Sequence, residues 1–223
     1  MCFSATASFT ASVALSTVGV ITLKKADSSS QFMFAGIPLI FGIQQFCEGM
    51  LWLALSNPEY AHLKSFFVYV FITFAQVIWP FWVPLSILLM EKKNTRRKLL
   101  YVFGAMGILV SIYLGYCLAN YPVNAQIREH HIDYTLNYPS GLASIGVAMY
   151  LLAIIFTPFF SSINRMWVVS TVTLISFLAA KLIYSQFVIS VWCFFAALIS
   201  VVVWYMMVHL NDYHRFHKLK IRF

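Results

Sequence analysis

The chain has 223 residues, of which 61% are apolar and only 10% are charged, and its formal net charge is +8. Soluble domains carry roughly 25% charged residues, so this composition excludes an ordinary soluble protein and indicates an integral membrane protein. The length suits one compact helical bundle, and we expect a single domain.

The first apolar stretch, residues 5–23, has no basic residue before it, and Lys24 and Lys25 follow it. A signal peptide carries its positive charge ahead of the apolar run, so we expect a retained first transmembrane helix. Small residues recur every four positions along one face of this helix: Ser4, Ser8, Ser12 and Ser16. Small side chains at this spacing let helices approach closely in lipid; a hydroxyl-lined conduit is the alternative interpretation.

A helix needs about 20 apolar residues to cross the hydrocarbon layer of a bilayer, which is roughly 30 Å thick. Seven stretches of the chain meet this length, and they cover approximately residues 5–23, 31–56, 65–90, 99–120, 138–160, 166–184 and 186–210. The predicted fold is therefore all-α, a bundle of seven transmembrane helices followed by a basic tail, residues 211–223.

In this predicted topology, most of the basic residues lie on one side of the membrane. Twelve of the 15 Lys and Arg residues fall in the first, third and fifth connections and the tail. The positive-inside rule therefore places the amino terminus outside and the carboxyl terminus in the cytoplasm. This sorting explains the net charge through contact with the lipid bilayer, and we predict no nucleic-acid partner.

The second predicted helix contains "FGIQQFCEGMLWLAL", in which Glu48 is the one carboxylate of the chain well inside a predicted span. Burying an ionised group in hydrocarbon costs about 3 kcal/mol, so such residues face the bundle interior and find partners. Helical spacing puts Gln44, Gln45 and Trp52 on the same side as Glu48. This polar group is either a hydrogen-bonded clamp between helices or a site for a ligand, an ion or a proton.

The third predicted helix contains "QVIWPFWVP", where Pro80 cannot donate a hydrogen bond to the carbonyl of Gln76. We expect a kink there, which serves either ordinary packing or a pocket beside Gln76. The longest connection follows the fourth helix, with 17 residues, "YPVNAQIREHHIDYTLN", on the predicted outer side. Loops of this length often act as lids or binding elements.

The sixth predicted helix carries Lys181 near its outer end, and Trp192 and Cys193 lie on the seventh at about the depth of Glu48. Lys181 is a candidate counter-ion for Glu48, although a lysine so placed often extends to the lipid headgroups instead.

Histidines and cysteines give weaker signals. His130 and His131 in the outer connection are candidate metal ligands, but no histidine lies at mid-membrane depth, so we predict no intramembrane metal site. Removal of Met1 would place the Cys2 thiol beside a free amine, which makes Cys2 a candidate nucleophile. The sequence indicates no cofactor.

Four stretches together resemble a bacterial membrane family of unknown function: "MCFSATASF", "IPLIFGIQQFCEGMLWLAL", "WPFWVPLSILLMEKK" and "ISVWCFFAALIS". Members of that family begin MCFSAxASF and carry QQxxEGxxWL in the second helix. The resemblance covers nearly the whole chain and implies the same seven-span plan, but no particular activity. The matching positions include Cys2, Ser4, Gln44, Gln45, Glu48, Gly49, Trp52, Trp192 and Cys193.

The leading hypothesis is a protein of the bacterial inner (plasma) membrane that binds or transports a small molecule, a lipid or an ion at a polar site around Glu48. The candidate site residues are Glu48, Gln44, Gln45, Trp52, Gln76, Lys181, Trp192 and Cys193. One alternative is an outward-facing membrane enzyme with Cys2 as nucleophile, and another is a structural subunit of a larger membrane complex. The sequence leaves the substrate and the oligomeric state open.

Overall fold

The computed structural model describes residues 4–220, without the side chains of 193, 194, 196 and 211–220. Seven helical segments of this region are long and apolar enough to cross a membrane, which is the predicted number. They are α1 (Ala5–Leu23), α2 (Ser29–Ser56), α3 (Pro58–Met90), α4 (Asn94–Asn120), α5 (Ser140–Phe160), α6 (Met166–Ile183) and α7 (Val188–Leu210).

Several of these segments are composite. α2 joins Ser29–Ala35 to Ile37–Ser56. α7 joins Val188–Phe194 to the first part of the helix Ala196–Lys220, which continues past the end of the span at Leu210. α3 runs through a 3-10 turn (Pro58–Leu63), an α-helix (Lys64–Ile72), a π-helix (Thr73–Ile78) and a second α-helix (Trp79–Met90). α5 repeats this order with Ser140–Leu142, Ala143–Leu151, Leu152–Phe156 and Thr157–Phe160.

The connection after α4 folds into a two-stranded antiparallel hairpin of β1 (Val123–Arg128) and β2 (His131–Leu136). The all-α prediction is therefore wrong for this connection. Ala125, Ile132 and Tyr134 of the hairpin are buried, and the Tyr134 ring stacks on Phe71 of α3 with 5.0 Å between centroids. The hairpin thus packs into one end of the bundle, which we call the hairpin end. The opposite end, where α3 passes into α4, is the tail end.

α1 packs its small-residue face against α2. Ser8 and Ser12 are buried, and a Cβ added to Gly19 would lie 2.5 Å from the backbone nitrogen of Leu39. A Cβ at Gly42 would likewise collide with Ser16. The serine stripe therefore supports the packing interpretation, because α2 covers it within the same chain.

Both π-helices end two residues before a proline. Pro80 and Pro158 have no N–H to return to the carbonyl four residues earlier, so the regular helical ladder is broken at these points. In α3 the N–H of Trp79 instead donates to the carbonyl of Phe74, five residues back. The kink expected at Pro80 thus takes the form of a π-helical turn, a feature that is frequent at functional sites.

A buried carboxylate, Glu91, fixes the tail end. Its Oε2 accepts hydrogen bonds from the Ser162 N–H at 2.6 Å and from the Ser161 hydroxyl at 3.1 Å, and its Oε1 accepts one from the Lys93 N–H at 2.9 Å. Burial by itself raises the pKa of Glu91, but these hydrogen bonds outweigh it and hold the pKa below its usual value. Glu91 therefore ties the α3–α4 turn to the α5–α6 turn.

Candidate binding cavity

Glu48 forms a clamp between α2 and α7. Its side chain is fully buried, and each carboxylate oxygen accepts a hydrogen bond: Oε2 from Gln45 Nε2 at 3.0 Å and Oε1 from the Ser190 hydroxyl at 2.7 Å. Ser190 lies 142 residues further along the chain. The carboxylate of Glu48 thus holds the beginning of α7 against the middle of α2.

Gln44 forms a second clamp, from α2 to α3. The indole N–H of Trp79 donates to Gln44 Oε1 at 2.9 Å, and the Trp79 ring stacks on Phe41 with 4.0 Å between centroids. Gln44 is fully buried behind Trp79. The predicted polar face of α2 is therefore turned inward, where it makes specific contacts with two neighbouring helices.

Trp52 packs away from these clamps. It belongs to the hydrophobic cluster at the hairpin end, together with Leu51, Phe71 and Ile132. Its indole N–H is buried and has no hydrogen-bond acceptor among the residues that the structure describes. The contribution of Trp52 is hydrophobic packing beneath the hairpin.

A cavity of about 550 Å³ lies between the helices α2 to α7. Three of the residues predicted for the site line it: Gln76, Lys181 and Trp192. Its wall is mostly apolar and aromatic, and it does not include Gln44, Gln45, Glu48 or Trp52. This volume falls within the roughly 300–1,000 Å³ of small-molecule sites, which are lined mainly by apolar groups with a few polar ones.

The two clamps support this cavity from behind. Trp79, which donates to Gln44, is itself a wall residue. Ser190, which donates to Glu48, lies between the wall residues Ile189 and Trp192 on α7. The polar residues predicted as a ligand site therefore hold two parts of the wall in place.

The wall reaches the surface at the hairpin end. Tyr138 and Pro139 line it on the segment after β2, and Lys181, Ser185 and Gln186 line it at the turn between α6 and α7. All of these except Tyr138, which is half-buried, have exposed side chains. The exposed wall residues Ala143 and Val147 continue along α5. The opening thus extends from the hairpin end onto a side of the bundle that a bilayer would cover.

Hydrogen bonds hold the aromatic wall residues in fixed positions. The Tyr138 hydroxyl donates to Gln76 Oε1 at 3.0 Å, and the Tyr150 hydroxyl donates to the carbonyl of Ala75 at 2.6 Å. Both acceptors lie in the π-helical turn of α3. Trp192 donates from its indole to the Ser176 hydroxyl at 3.2 Å. The wall is therefore shaped before any ligand arrives.

Lys181 lies at the mouth of the cavity with an exposed side chain, and the carboxylate oxygens of Glu48 are engaged by Gln45 and Ser190. No salt bridge joins Lys181 to Glu48 in the described part of the chain. The side chain of Cys193 and all of Cys2 lie outside the described residues, so their predicted roles stay predictions.

The candidate metal ligands separate in the structure. His131 is buried in the hairpin, where its ring stacks on Phe187 with 4.7 Å between centroids, whereas His130 is exposed in the turn. Burial lowers the pKa of His131 below its ordinary value of 6.5. Among the described residues, no three His, Cys, Asp or Glu side chains come together to hold a metal ion.

Several wall residues escaped the sequence analysis. Tyr138, Tyr150 and Trp79 shape the cavity, but they are aromatic residues in an aromatic-rich membrane chain, and nothing in their spacing sets them apart. Pro158, by contrast, has the same relation to the second π-helix as Pro80 has to the first. Pro80 and Pro158 are therefore the sequence features from which the two π-helical turns beside the cavity could have been predicted.

The seven apolar helices of the described region, six of which surround the cavity, are compatible with a polytopic membrane protein. The chain belongs to the family described as "Family of unknown function (DUF6629)", whose model matches residues 1–216. No curated protein and no solved structure matches it. Membership of an uncharacterised family is thus confirmed, whereas the bacterial origin and the defining motifs stay predictions.

Proposed function

We propose that this protein binds a small amphiphilic molecule from the membrane in the cavity lined by Gln76, Trp192 and Lys181. The observation that carries the proposal is the cavity itself, about 550 Å³ with a largely apolar wall and polar residues gathered at its mouth. An apolar chain fits the interior, while a polar headgroup fits the mouth.

The shape of the opening favours a ligand that arrives from the bilayer. Val147 is 57% exposed on α5 and lines the cavity, so a molecule in the surrounding lipid has a lateral approach. The wall extends inward to Ile199 and Val203, but the buried side chains of Leu100 and Met207 fill the tail end. This arrangement supports a binding protein more directly than a transporter.

In this proposal Glu48 positions the wall. Its carboxylate holds Ser190 between two wall residues, and Gln44 holds Trp79 in the same way. The clamp and the ligand site, which were alternatives in the sequence analysis, are then two parts of one device. We further propose that the hairpin end faces outward from a bacterial inner membrane, as the distribution of basic residues predicts.

The test fills the cavity from its lipid side. Val147→Phe adds a ring to the wall without adding a tryptophan, whereas Ile145→Phe on the same helix changes an equally exposed residue, at 57%, that is not part of the wall. Binding of bromine-labelled single-chain amphiphiles is measured in lipid nanodiscs by quenching of tryptophan fluorescence. We expect about a tenfold loss of affinity in Val147→Phe and wild-type affinity in Ile145→Phe. Equal binding by both variants and the wild type would contradict the proposal.

A further inference from the structure

The cavity wall carries one formal charge among the described residues, and that charge is positive. Lys181 supplies it at the mouth, and no aspartate or glutamate lines the wall. The exposed ammonium group of Lys181 has no carboxylate within salt-bridge distance in the described region. A charged ligand entering this cavity therefore meets a cation with no competing anion.

The neutral polar groups of the wall point to the same sign. The side-chain donors of Tyr138, Tyr150 and Trp192 are already engaged by protein acceptors. The Gln76 carboxamide accepts from Tyr138 through its oxygen, while its NH₂ group has no acceptor among the described residues. The wall therefore offers an amide donor and an ammonium group to a ligand, which suits a negatively charged acceptor.

Aromatic rings make a cationic ligand the main competitor, because their faces attract ammonium groups. Trp79, Trp192 and Tyr150 all line the cavity. A cation held by these rings would nevertheless have to pass Lys181 at the mouth, and the wall provides no carboxylate to balance its charge. Repulsion at the entrance and the absent counter-charge both favour an anion.

We propose that the ligand class is an anionic single-chain amphiphile, whose carboxylate or phosphate lies at Lys181 while its hydrocarbon chain extends toward Ile199 and Val203. This assignment rests on the proposed binding function and gives it a chemical class. Lys181 is then the residue that selects for charge, and the NH₂ group of Gln76, beside Tyr138, is a second donor for the oxygens of the headgroup.

The experiment compares three bromine-labelled probes with the same alkyl chain: an alkyl phosphate, the alcohol and the trimethylammonium compound. The protein is held in nanodiscs of neutral phosphatidylcholine. Trp167 and Trp204 are both exposed and fall outside the wall, so Trp167→Phe and Trp204→Phe remove signals from probe dissolved in the lipid. Quenching then reports on the remaining tryptophans, two of which, Trp79 and Trp192, line the cavity.

We expect the alkyl phosphate to bind more tightly than the alcohol and the trimethylammonium compound. Lys181→Met should weaken binding of the phosphate about fivefold, which is typical of one partly solvated charge contact, and leave the alcohol unchanged. Lys64→Met removes the same charge outside the wall, at the start of the second helical piece of α3, and should change neither affinity.

The possible results separate the two proposals. Equal affinities for all three probes, unaffected by Lys181→Met, would overturn the anionic assignment and leave the binding function standing. Binding of none of the probes would overturn both. Inorganic phosphate is the last arm of the test: displacement of the alkyl phosphate by an equal concentration of inorganic phosphate would show that the hydrocarbon chain contributes nothing, and would overturn the amphiphile class.

Discussion

At the scale of single residues, Glu48 shows how a buried carboxylate is stabilised inside an apolar bundle. It accepts hydrogen bonds from Gln45 on its own helix and from Ser190 on a distant one. Its charge, or its hydrogen-bonding capacity, therefore fixes the relative position of α2 and α7. Removing the acceptor would strand two buried donors, and each lost hydrogen bond of this kind costs about 1–3 kcal/mol.

We predict that Glu48→Ala lowers the stability of the bundle by about 3 kcal/mol, and that Glu48→Gln has a smaller effect because its amide oxygen still accepts one hydrogen bond. Thermal unfolding in detergent measures the order. Glu59→Ala serves as the control, since Glu59 is exposed at the hairpin end. If Glu48→Ala unfolds at the same temperature as that control, the clamp has no structural role.

Only part of the Glu48 clamp is predictable from the sequence. The lone carboxylate, its two glutamines and their shared helix face were readable, because charge in an apolar run and a period of 3.6 are both local signals. The partners Ser190 and Trp79 were not, because they come from elsewhere in the chain and one of them is an ordinary serine. The choice between clamp and ligand site depended on those partners.

At the scale of elements, α3 and α4 meet at a point of very close approach. A Cβ on Gly107 would collide with the carbonyl of Pro80, whereas a Cβ on Gly104 would have nothing within 4 Å. Both glycines are buried in the same helix, three residues apart. Alanine substitutions at these two glycines therefore distinguish the effect of helix packing, at Gly107, from the effect of helix propensity, at Gly104.

We predict that Gly107→Ala destabilises the protein, while Gly104→Ala is neutral or stabilising by up to about 1 kcal/mol, because alanine favours a helix interior over glycine. Thermal unfolding of the two variants side by side measures this difference. Since Pro80 follows the π-helical turn that lines the cavity, Gly107→Ala should also weaken amphiphile binding. Identical unfolding curves would show that the close approach is not required.

The hairpin is an element whose sequence did carry a signal. Val123, Ala125 and Ile127 alternate with polar residues, and Ile132, Tyr134 and Leu136 do the same in the second strand. That period of two is the pattern of a half-buried strand. The criterion of about 20 apolar residues detects only transmembrane helices and therefore missed it. The connection was interpreted as a loop because the chain was searched for long apolar helices and not for short alternating strands.

Docking of this hairpin should depend on pH through His131. Burial lowers the pKa of His131, and the neighbouring His130 adds to the lowering whereas Glu129 opposes it. As the pH falls below about 6.5, His131 therefore takes up a proton more readily in the undocked hairpin than in the docked one. Docking thus becomes less favourable toward acidic pH. We expect amide exchange in residues 123–136, corrected for its intrinsic pH dependence, to be faster at pH 5.5 than at pH 7.5.

Two variants test the assignment to this ring. His131→Phe keeps an aromatic ring against Phe187 but cannot titrate, so it should remove the pH dependence of exchange. His130→Ala changes the exposed neighbour and should preserve most of it. A pH response that survives His131→Phe would place the titrating group elsewhere.

Across the described residues taken together, two hydrophobic clusters organise the bundle. One includes Phe71, Ile132 and Leu118 beneath the hairpin, and the other includes Leu100, Met166 and Met207 toward the tail end. The cavity extends from the hairpin end into the second cluster, since Ile154 and Ile199 belong to both that cluster and the wall. A ligand from the outer half of the bilayer would therefore reach the centre of the bundle, provided that the hairpin end faces outward.

The orientation of the protein in the membrane follows from the distribution of its basic residues. By their positions in the sequence, 12 of the 15 Lys and Arg residues fall in the connections at the tail end or in the carboxyl-terminal tail. The positive-inside rule therefore predicts that the hairpin lies outside. We expect Glu129→Cys, at the hairpin turn, to react with a membrane-impermeant maleimide in intact cells. Asn94→Cys, at the tail end, should react only after permeabilisation. The native cysteines are first replaced by serine or alanine. The reverse labelling pattern would show that the cavity mouth faces the cytoplasm, and it would overturn the proposed access from outside.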